Sequence, residues 1–293
     1  MENKDLPCKY KENMNCRMYS KGTYSSYNLD SACNLCYYKG AEQDKPRVKK
    51  HNEELARRRV EEKEKERLRN EKEKRRKLED REKGAIKCIW KHNIDYLYHM
   101  THIDNMSSIL EYGLLSYNKL PECGTSHKDI SMEDVQEKRH KKRDPINNKP
   151  LHDYASLYFN PKNVMLSVRQ DMQEDIVILG IDPELLIESE TIFTNGNAAS
   201  DDTKFYKGVE NLNKLLWDII KKPYDPLLNH RVNRRIKCAE VLVPLKIPAE
   251  RIKKIFCHSK EQCLKVSGMV PHNISISIGI NKNLYYKKFL YKQ

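Results

Sequence analysis

Residues Ile94 to Ser116 read IDYLYHMTHIDNMSSILEYGLLS. Ile94 to Met100, dominated by Ile, Tyr, Leu and Met, predicts a β-strand. Asp104 then stands where a helix needs an N-cap, and Met106, Ile109 and Leu110 recur on one helical face. Gly113 closes that run, as glycine does past a helix end. Tyr98-His99-Met100-Thr101-His102 therefore sits where a strand feeds a helix, and strand ends are where scaffolds build sites. A histidine there is, on its own, an ordinary structural residue.

The downstream chain repeats this mixture without a regular βαβ rhythm. Ser131 with Asp134 resembles a capping box for a helix through Arg139. Tyr154 to Phe159 reads as a strand stopped by Asn160-Pro161, and Ile176 to Ile181 as a buried one. Leu212, Leu215, Leu216 and Ile219 mark an amphipathic helix. Val241 to Val243, Ile252 to Cys257 and the alternating Ile274, Ile276, Ile278 and Ile280 supply further strands. Short strands and helices intermixed in this way predict an α+β domain over residues 86–293.

Towards the amino terminus the composition changes twice. Residues 48–85 form a spacer dominated by Lys, Arg and Glu, with Leu55, Val60, Leu68 and Leu78 as scattered apolar positions and no Pro or Gly before Gly84. Pairs such as Glu61 with Lys65 and Glu73 with Lys77 support a solvated helix. The four apolar residues hold no heptad seam, so a coiled coil is not indicated.

Residues 1–47 are poor in apolar side chains and contain Cys8, Cys16, Cys33 and Cys36. A segment this small needs a staple. The Cys33-Asn-Leu-Cys36 knuckle, with Cys8 and Cys16, favours structural Zn²⁺; the competing reading is an extended tail with free thiols. Tyrosines and lysines interleave in this head, a mixture suited to stacking bases or to the surface of a zinc module.

The formal net charge is +13, which favours polyanionic partners, although the charged spacer accounts for part of it. No apolar run approaches a bilayer span and the amino terminus has no signal-peptide core, so a cytoplasmic protein without membrane attachment is expected. The remaining cysteines are scattered; Cys238 and Cys257 fall in or beside strands and read as small buried hydrophobes.

Three polar clusters carry candidate chemistry: the His99 junction, the basic helix end around Arg139, and Glu240, which directly precedes the apolar run Val241 to Val243. A carboxylate at that boundary is costly unless solvated, paired or functional. No GxGxxG, Walker loop or HExxH accompanies them.

Four segments in register resemble the DarT family: Ile94 to Ser116, Leu151 to Leu166 (LHDYASLYFNPKNVML), Phe193 to Ser200 (FTNGNAAS) and Ala239 to Pro244 (AEVLVP). The resemblance runs along nearly all of residues 94–260. It implies an ADP-ribosyltransferase fold, transfer of ADP-ribose from NAD to a base in single-stranded DNA, and a macrodomain antitoxin, DarG, as partner. The family's usual architecture lacks the cysteine-rich head and the charged spacer.

Carried over by position, Glu240 and Arg139 match the family's catalytic glutamate and arginine. His99, Met100, Thr101, Ser108, Ser116 and Arg139 match NAD-contacting positions. His99 would hold either the adenosine-side ribose or the nicotinamide-side groups. Tyr158, Asn197 and Lys204 fall where the nucleic acid would be met, and the stretch from Asn197 to Glu240 matches the loop presenting the base. The proton leaving the acceptor base would go to Glu240 or to Arg139. The same chemistry on RNA, and a non-catalytic nucleic-acid-binding role, are the alternatives.

Overall fold

The computed structural model describes residues 45–124, 127–222 and 231–287. It divides into two units, 1–79 and 80–293, and helix α1 (Lys45–Lys91) contributes residues to both. In the first unit α1 is held by its own surface. Arg58 pairs with Glu54 at 3.0 Å, Arg75 with Glu79 at 3.1 Å and Lys77 with Glu73 at 2.8 Å. Such exposed i,i+4 pairs contribute roughly 0.3–0.5 kcal/mol each. Val60, Leu68 and Leu78 stay exposed. The helix is longer than expected and runs through Gly84 without a break. Cys8, Cys16, Cys33 and Cys36 lie outside the described residues.

In the second unit the last turns of α1 belong to the core: Ile89 is buried and Cys88 Sγ donates to the Val209 carbonyl. The elements that follow are β1 (Leu97–His102), α2 (Met106–Tyr112), β2 (Leu114–Leu115), α3 (Glu133–His140), β3 (Tyr154–Tyr158), α4 (Val164–Val168), β4 (Ile176–Ile181), β5 (Ile192–Thr194) and β6 (Phe205–Tyr206). The chain continues through α5 (Trp217–Ile220), α6 (Arg231–Lys237), β7 (Glu240–Pro244), β8 (Lys246–Ile247), β9 (Ile252–Cys257), α7 (Lys260–Ser267) and β10 (Ser277–Ile280). Eight strands form one mixed sheet in the order β10-β9-β4-β1-β3-β7-β5-β6, and β2 pairs with β8 apart from it. The α+β expectation holds.

β4 is buried at all six positions, as a near-continuous apolar run requires. Leu97, Leu157, Leu179 and Val241 form the core on one face of the sheet. Met100, Ile178 and Phe256, with Tyr98 and Tyr158, pack on the other. The middle of the sheet matters most for function. β1 pairs with β4 from Leu97↔Ile181 to His102↔Ile176, and β3 pairs with β7 from Tyr154↔Pro244 to Tyr158↔Glu240. Between β1 and β3 the ladder is confined to Tyr98↔Tyr158. Beyond that pair the β1–β3 ladder stops, and His99 and Ser156, in contact across the junction, both line a cavity there.

Several local expectations are corrected. β1 begins at Leu97, not Ile94. Asp104 does not cap its helix; its own N–H donates to His102 Nδ1, and a 3₁₀ turn, Ile103–Asn105, precedes α2. Gly113 does end α2, at φ 85°, where a Cβ would meet the Ile247 carbonyl oxygen at 2.5 Å. Ser131 is no cap either, because its hydroxyl is bound to Asp129, and α3 starts at Glu133 without a side-chain cap. The helix expected over Leu212 to Ile219 is two pieces, Val209–Lys214 and α5, separated by Leu215 and Leu216, both outside helical conformation. The Ile274 to Ile280 strand is shortened to β10, parallel to β9. Among the described residues no helix is long and apolar enough to cross a membrane.

Candidate functional site

Glu240 is the first residue of β7 and is 1% exposed. An isolated carboxylate there would be expensive, and the fold satisfies both oxygens. Oε1 accepts from the Ala198 N–H at 2.9 Å, and Oε2 accepts from Arg139 Nη1 at 2.8 Å. The Glu240 N–H donates to Thr194 Oγ1, whose hydroxyl donates to the Gly196 carbonyl. Gly196 is favoured by closeness: a Cβ would meet the Arg235 backbone oxygen at 2.9 Å. The carboxylate is thus tied to the loop over residues 194–199 as well as to α3.

Arg139 lies in the last turn of α3 and is 8% exposed. Nη2 donates to Ser156 Oγ at 2.6 Å. Burial pulls its pKa down, but the charge and hydrogen bond of Glu240 outweigh this, so the guanidinium titrates above its ordinary value and keeps its proton. Tyr158, directly across the ladder from Glu240, has its hydroxyl held well above the usual range by burial and by that carboxylate. It stays neutral.

His99 fills the gap where β1 and β3 part. Its Nδ1 meets the Ser156 carbonyl at 3.0 Å. Burial pushes the ring down to about 4, so it is neutral at physiological pH. A carbonyl only accepts, hence Nδ1 carries the hydrogen and Nε2 is the ring's acceptor. Thr101 Oγ1 accepts from Asn105 Nδ2, and the same amide binds the backbone of Lys128 on both sides, holding the 127–131 segment beside the cleft.

One cavity is lined by His99, Met100, Thr101, Ser108, Arg139, Tyr158, Asn197 and Glu240. These residues, singled out from five separate stretches of sequence, are brought together. Ser116 and Lys204 are not. Ser116 is fully buried with a hydroxyl that has no partner, outside the cavity lining. Lys204 is exposed on the loop beyond Asn197, its N–H donating to Asn195 Oδ1. Asn197 organises that loop, accepting from the Ala199 N–H and the Thr203 hydroxyl. Lys142, one turn past Arg139, donates to the Ala199 carbonyl at 2.8 Å and pairs with Asp201 at 2.5 Å.

Sequence reasoning missed Ser156, Gln136, Asn105, Tyr117 and His152, which also line the cavity. Ser156 left one signal, a hydroxyl in an otherwise apolar strand. Cys238 and Cys257 are buried as expected, and burial pushes the Cys238 thiol up to about 12, which removes it as a nucleophile. No cluster of three metal-ligating side chains occurs among the described residues.

The family model described as "ssDNA thymidine ADP-ribosyltransferase, DarT" matches residues 98–286. A DNA ADP-ribosyl transferase from Thermus sp. strain 2.9 is 30% identical over 209 residues, 65% of this chain and 95% of that protein. Structures of the Thermus sp. 2.9 DarT superpose with TM-scores of 0.60 for the complex with ADP-ribosylated ssDNA and 0.57 for the complex with NAD⁺. Each covers 66% of this chain, and 97% and 98% of the other, at 28% and 26% identity. A Thermosipho africanus protein, a fusion of DNA ADP-ribosyl transferase with DNA ADP-ribosyl glycohydrolase, is 32% identical over 169 residues. That match spans 56% of this chain and only 43% of the fusion.

Proposed function

The chain belongs to the DarT family, and on that premise we propose that residues 86–293 transfer ADP-ribose from NAD⁺ to a base in single-stranded DNA. The observation that carries the reading is the buried Arg139–Glu240 pair opening into the same cavity as His99 and Thr101. The donor set fits a dinucleotide. A charged guanidinium suits a pyrophosphate. A neutral imidazole acceptor and buried hydroxyls suit ribose.

Glu240 stabilises the oxocarbenium-like ribose that forms as the C1′–nicotinamide bond breaks, and accepts a hydrogen bond from a ribose hydroxyl. The base nitrogen then bonds to C1′ and its proton departs. The retained charge of Arg139 supports Glu240, rather than Arg139, as the group that takes this proton. Tyr158 and Asn197 border the cavity near Glu240 and would meet the acceptor base. Thymine, the base in the family's description, is the first to test.

The Thermosipho africanus fusion supports a DarG-type macrodomain partner that removes the mark, and with it a toxin role. The zinc reading of Cys8, Cys16, Cys33 and Cys36 rests on the Cys33–Cys36 knuckle in a segment too poor in apolar side chains to build a core, and predicts metal in protein purified without chelator.

The test is incubation of the full chain with NAD⁺ and single-stranded DNA and RNA oligonucleotides, read by mass spectrometry. An ADP-ribose adduct on DNA, absent with Glu240→Ala, is expected. An adduct confined to RNA moves the substrate, and the absence of both an adduct and NAD⁺ consumption removes the reading altogether.

A further inference from the structure

His152 lies in the 3₁₀ turn Leu151–Asp153 that leads into β3. It is 4% exposed and lines the cavity. Its Nε2 meets Gln136 Oε1 at 3.0 Å. The Gln136 amide is itself oriented, because its NH₂ group donates to Ser131 Oγ at 2.7 Å and to Asp129 Oδ2 at 3.3 Å. The Asp129 carboxylate accepts only, and Ser131 already donates its hydroxyl to Asp129. Gln136 must therefore turn its carbonyl towards His152, so Nε2 carries the ring hydrogen. Nδ1 is left as a lone-pair acceptor, and it is buried with no partner. Tyr117 covers the ring, with centroids 4.4 Å apart. The neighbouring Ser116 hydroxyl is the second buried polar atom of this region without a partner.

A buried acceptor left open costs about 1–3 kcal/mol, and such atoms in native structures are filled by a ligand or by water. Here the ring is held in one tautomer by three successive side chains, and one face is covered. That is far more construction than a water site needs, and its central amide, Gln136, stands on the helix that carries Arg139. Burial, and the nearby charges of Arg139 and His140, keep the ring neutral by lowering its pKa.

We propose that His152 is a specificity-determining residue of the dinucleotide site, its Nδ1 accepting a hydrogen bond from a hydroxyl or amino group of NAD⁺. This rests on the reading of the cavity as an NAD⁺ site. It adds a second neutral acceptor to His99 Nε2, so the cleft offers lone pairs at two places. A ligand group without a hydrogen to donate would leave Nδ1 unpaired and be disfavoured.

The test is calorimetric binding of NAD⁺ to the full chain without nucleic acid. His152→Phe keeps the ring under Tyr117 and removes the acceptor. It should weaken binding roughly 5–10-fold, the equivalent of one neutral hydrogen bond. His152→Asn places an amide oxygen near the Nδ1 position and should stay within about twofold of wild type. His152→Gln keeps a polar reach towards Gln136 but has no acceptor at Nδ1; it should behave like the Phe variant and serves if that variant does not fold. Dinucleotides lacking single ribose hydroxyls, or with hypoxanthine for adenine, should locate the donor: wild type loses affinity for one of them, and His152→Phe does not discriminate. Unchanged NAD⁺ affinity in folded His152→Phe or His152→Gln overturns the proposal. So does a loss seen in oligonucleotide turnover alone, which would assign the donor to the nucleic acid. If wild type binds no NAD⁺, the functional reading itself has failed; if wild type binds and modifies DNA while these variants bind equally well, only this inference has.

Discussion

The guanidinium of Arg139 donates to the carboxylate of Glu240 at 2.8 Å across 101 residues of chain, with side-chain exposures of 10% and 1%. Breaking such a pair from one side strands a buried charge, which typically costs 3–5 kcal/mol. Glu240→Ala should therefore destabilise the protein by about that much as well as end transfer. Glu240→Gln keeps the side-chain volume and one accepting oxygen, which can serve Arg139 or the Ala198 N–H but not both. It should lose less stability than the Ala variant while transfer still falls at least ~100-fold, as expected for loss of a charge aimed at a cationic transition state. Urea denaturation beside adduct yield separates the two effects. Equal loss of activity and stability in both variants would make the pair merely structural.

Arg139 also donates from Nη2 to Ser156, a two-pronged contact that a lysine cannot reproduce. Arg139→Lys should fold with a modest stability loss but lower kcat/KM by at least ~10-fold. Ser156→Ala should give a smaller loss of the same kind. Steady-state kinetics with a fixed oligonucleotide decides, and a fully active Lys variant contradicts the role given to the planar group.

His99 provides a pH signature. Its folded-state pKa, about 4, lies below the ordinary 6.5. Between those values the unfolded chain binds a proton that the native state does not. Stability should fall as pH drops from about 6.5 towards 4 and level off below that, while NAD⁺ affinity stays flat with respect to this group above pH 6. His99→Asn should flatten the corresponding segment of the stability curve measured by denaturant titration across pH 4–7. An unchanged curve would place the titration elsewhere.

The middle and the carboxy-terminal end of α1 should respond differently to substitution. Ile89 is 1% exposed within the sheet's core cluster, so Ile89→Ala should cost about 2–5 kcal/mol. Leu68 is 48% exposed, and Leu68→Ala should shift stability by less than about 0.5 kcal/mol. Chemical denaturation of the full chain measures both.

Lys142 ties the end of α3 to the 199–201 loop through the Ala199 carbonyl and Asp201. Lys142→Ala should raise KM for the oligonucleotide several-fold with little change in NAD⁺ affinity, because the loop, not the dinucleotide pocket, loses its tether. A change in NAD⁺ affinity alone would contradict that assignment.

What the amino-acid sequence determined by itself is what repeats locally. The apolar run at Ile176 to Ile181, the strand that leads into His99, the glycine stop at Gly113 and the i,i+4 charges of α1 are all periodic or adjacent features, and each was legible. Matching motifs further marked His99, Arg139 and Glu240 as one set. The finer local choices went the other way where neighbours competed for a polar group: the Asp104 carboxylate pairs with Lys128 and Lys265 while its own N–H goes to His102, and Asp129 took the Ser131 hydroxyl. The tertiary structure alone decided that β1 and β3 meet only at Tyr98↔Tyr158, that the resulting cleft is bridged by His99 and Ser156, and that Gln136 turns His152 into an acceptor. Those relationships join residues far apart in the chain, and their energies depend on strand order and register, which no local spacing encodes.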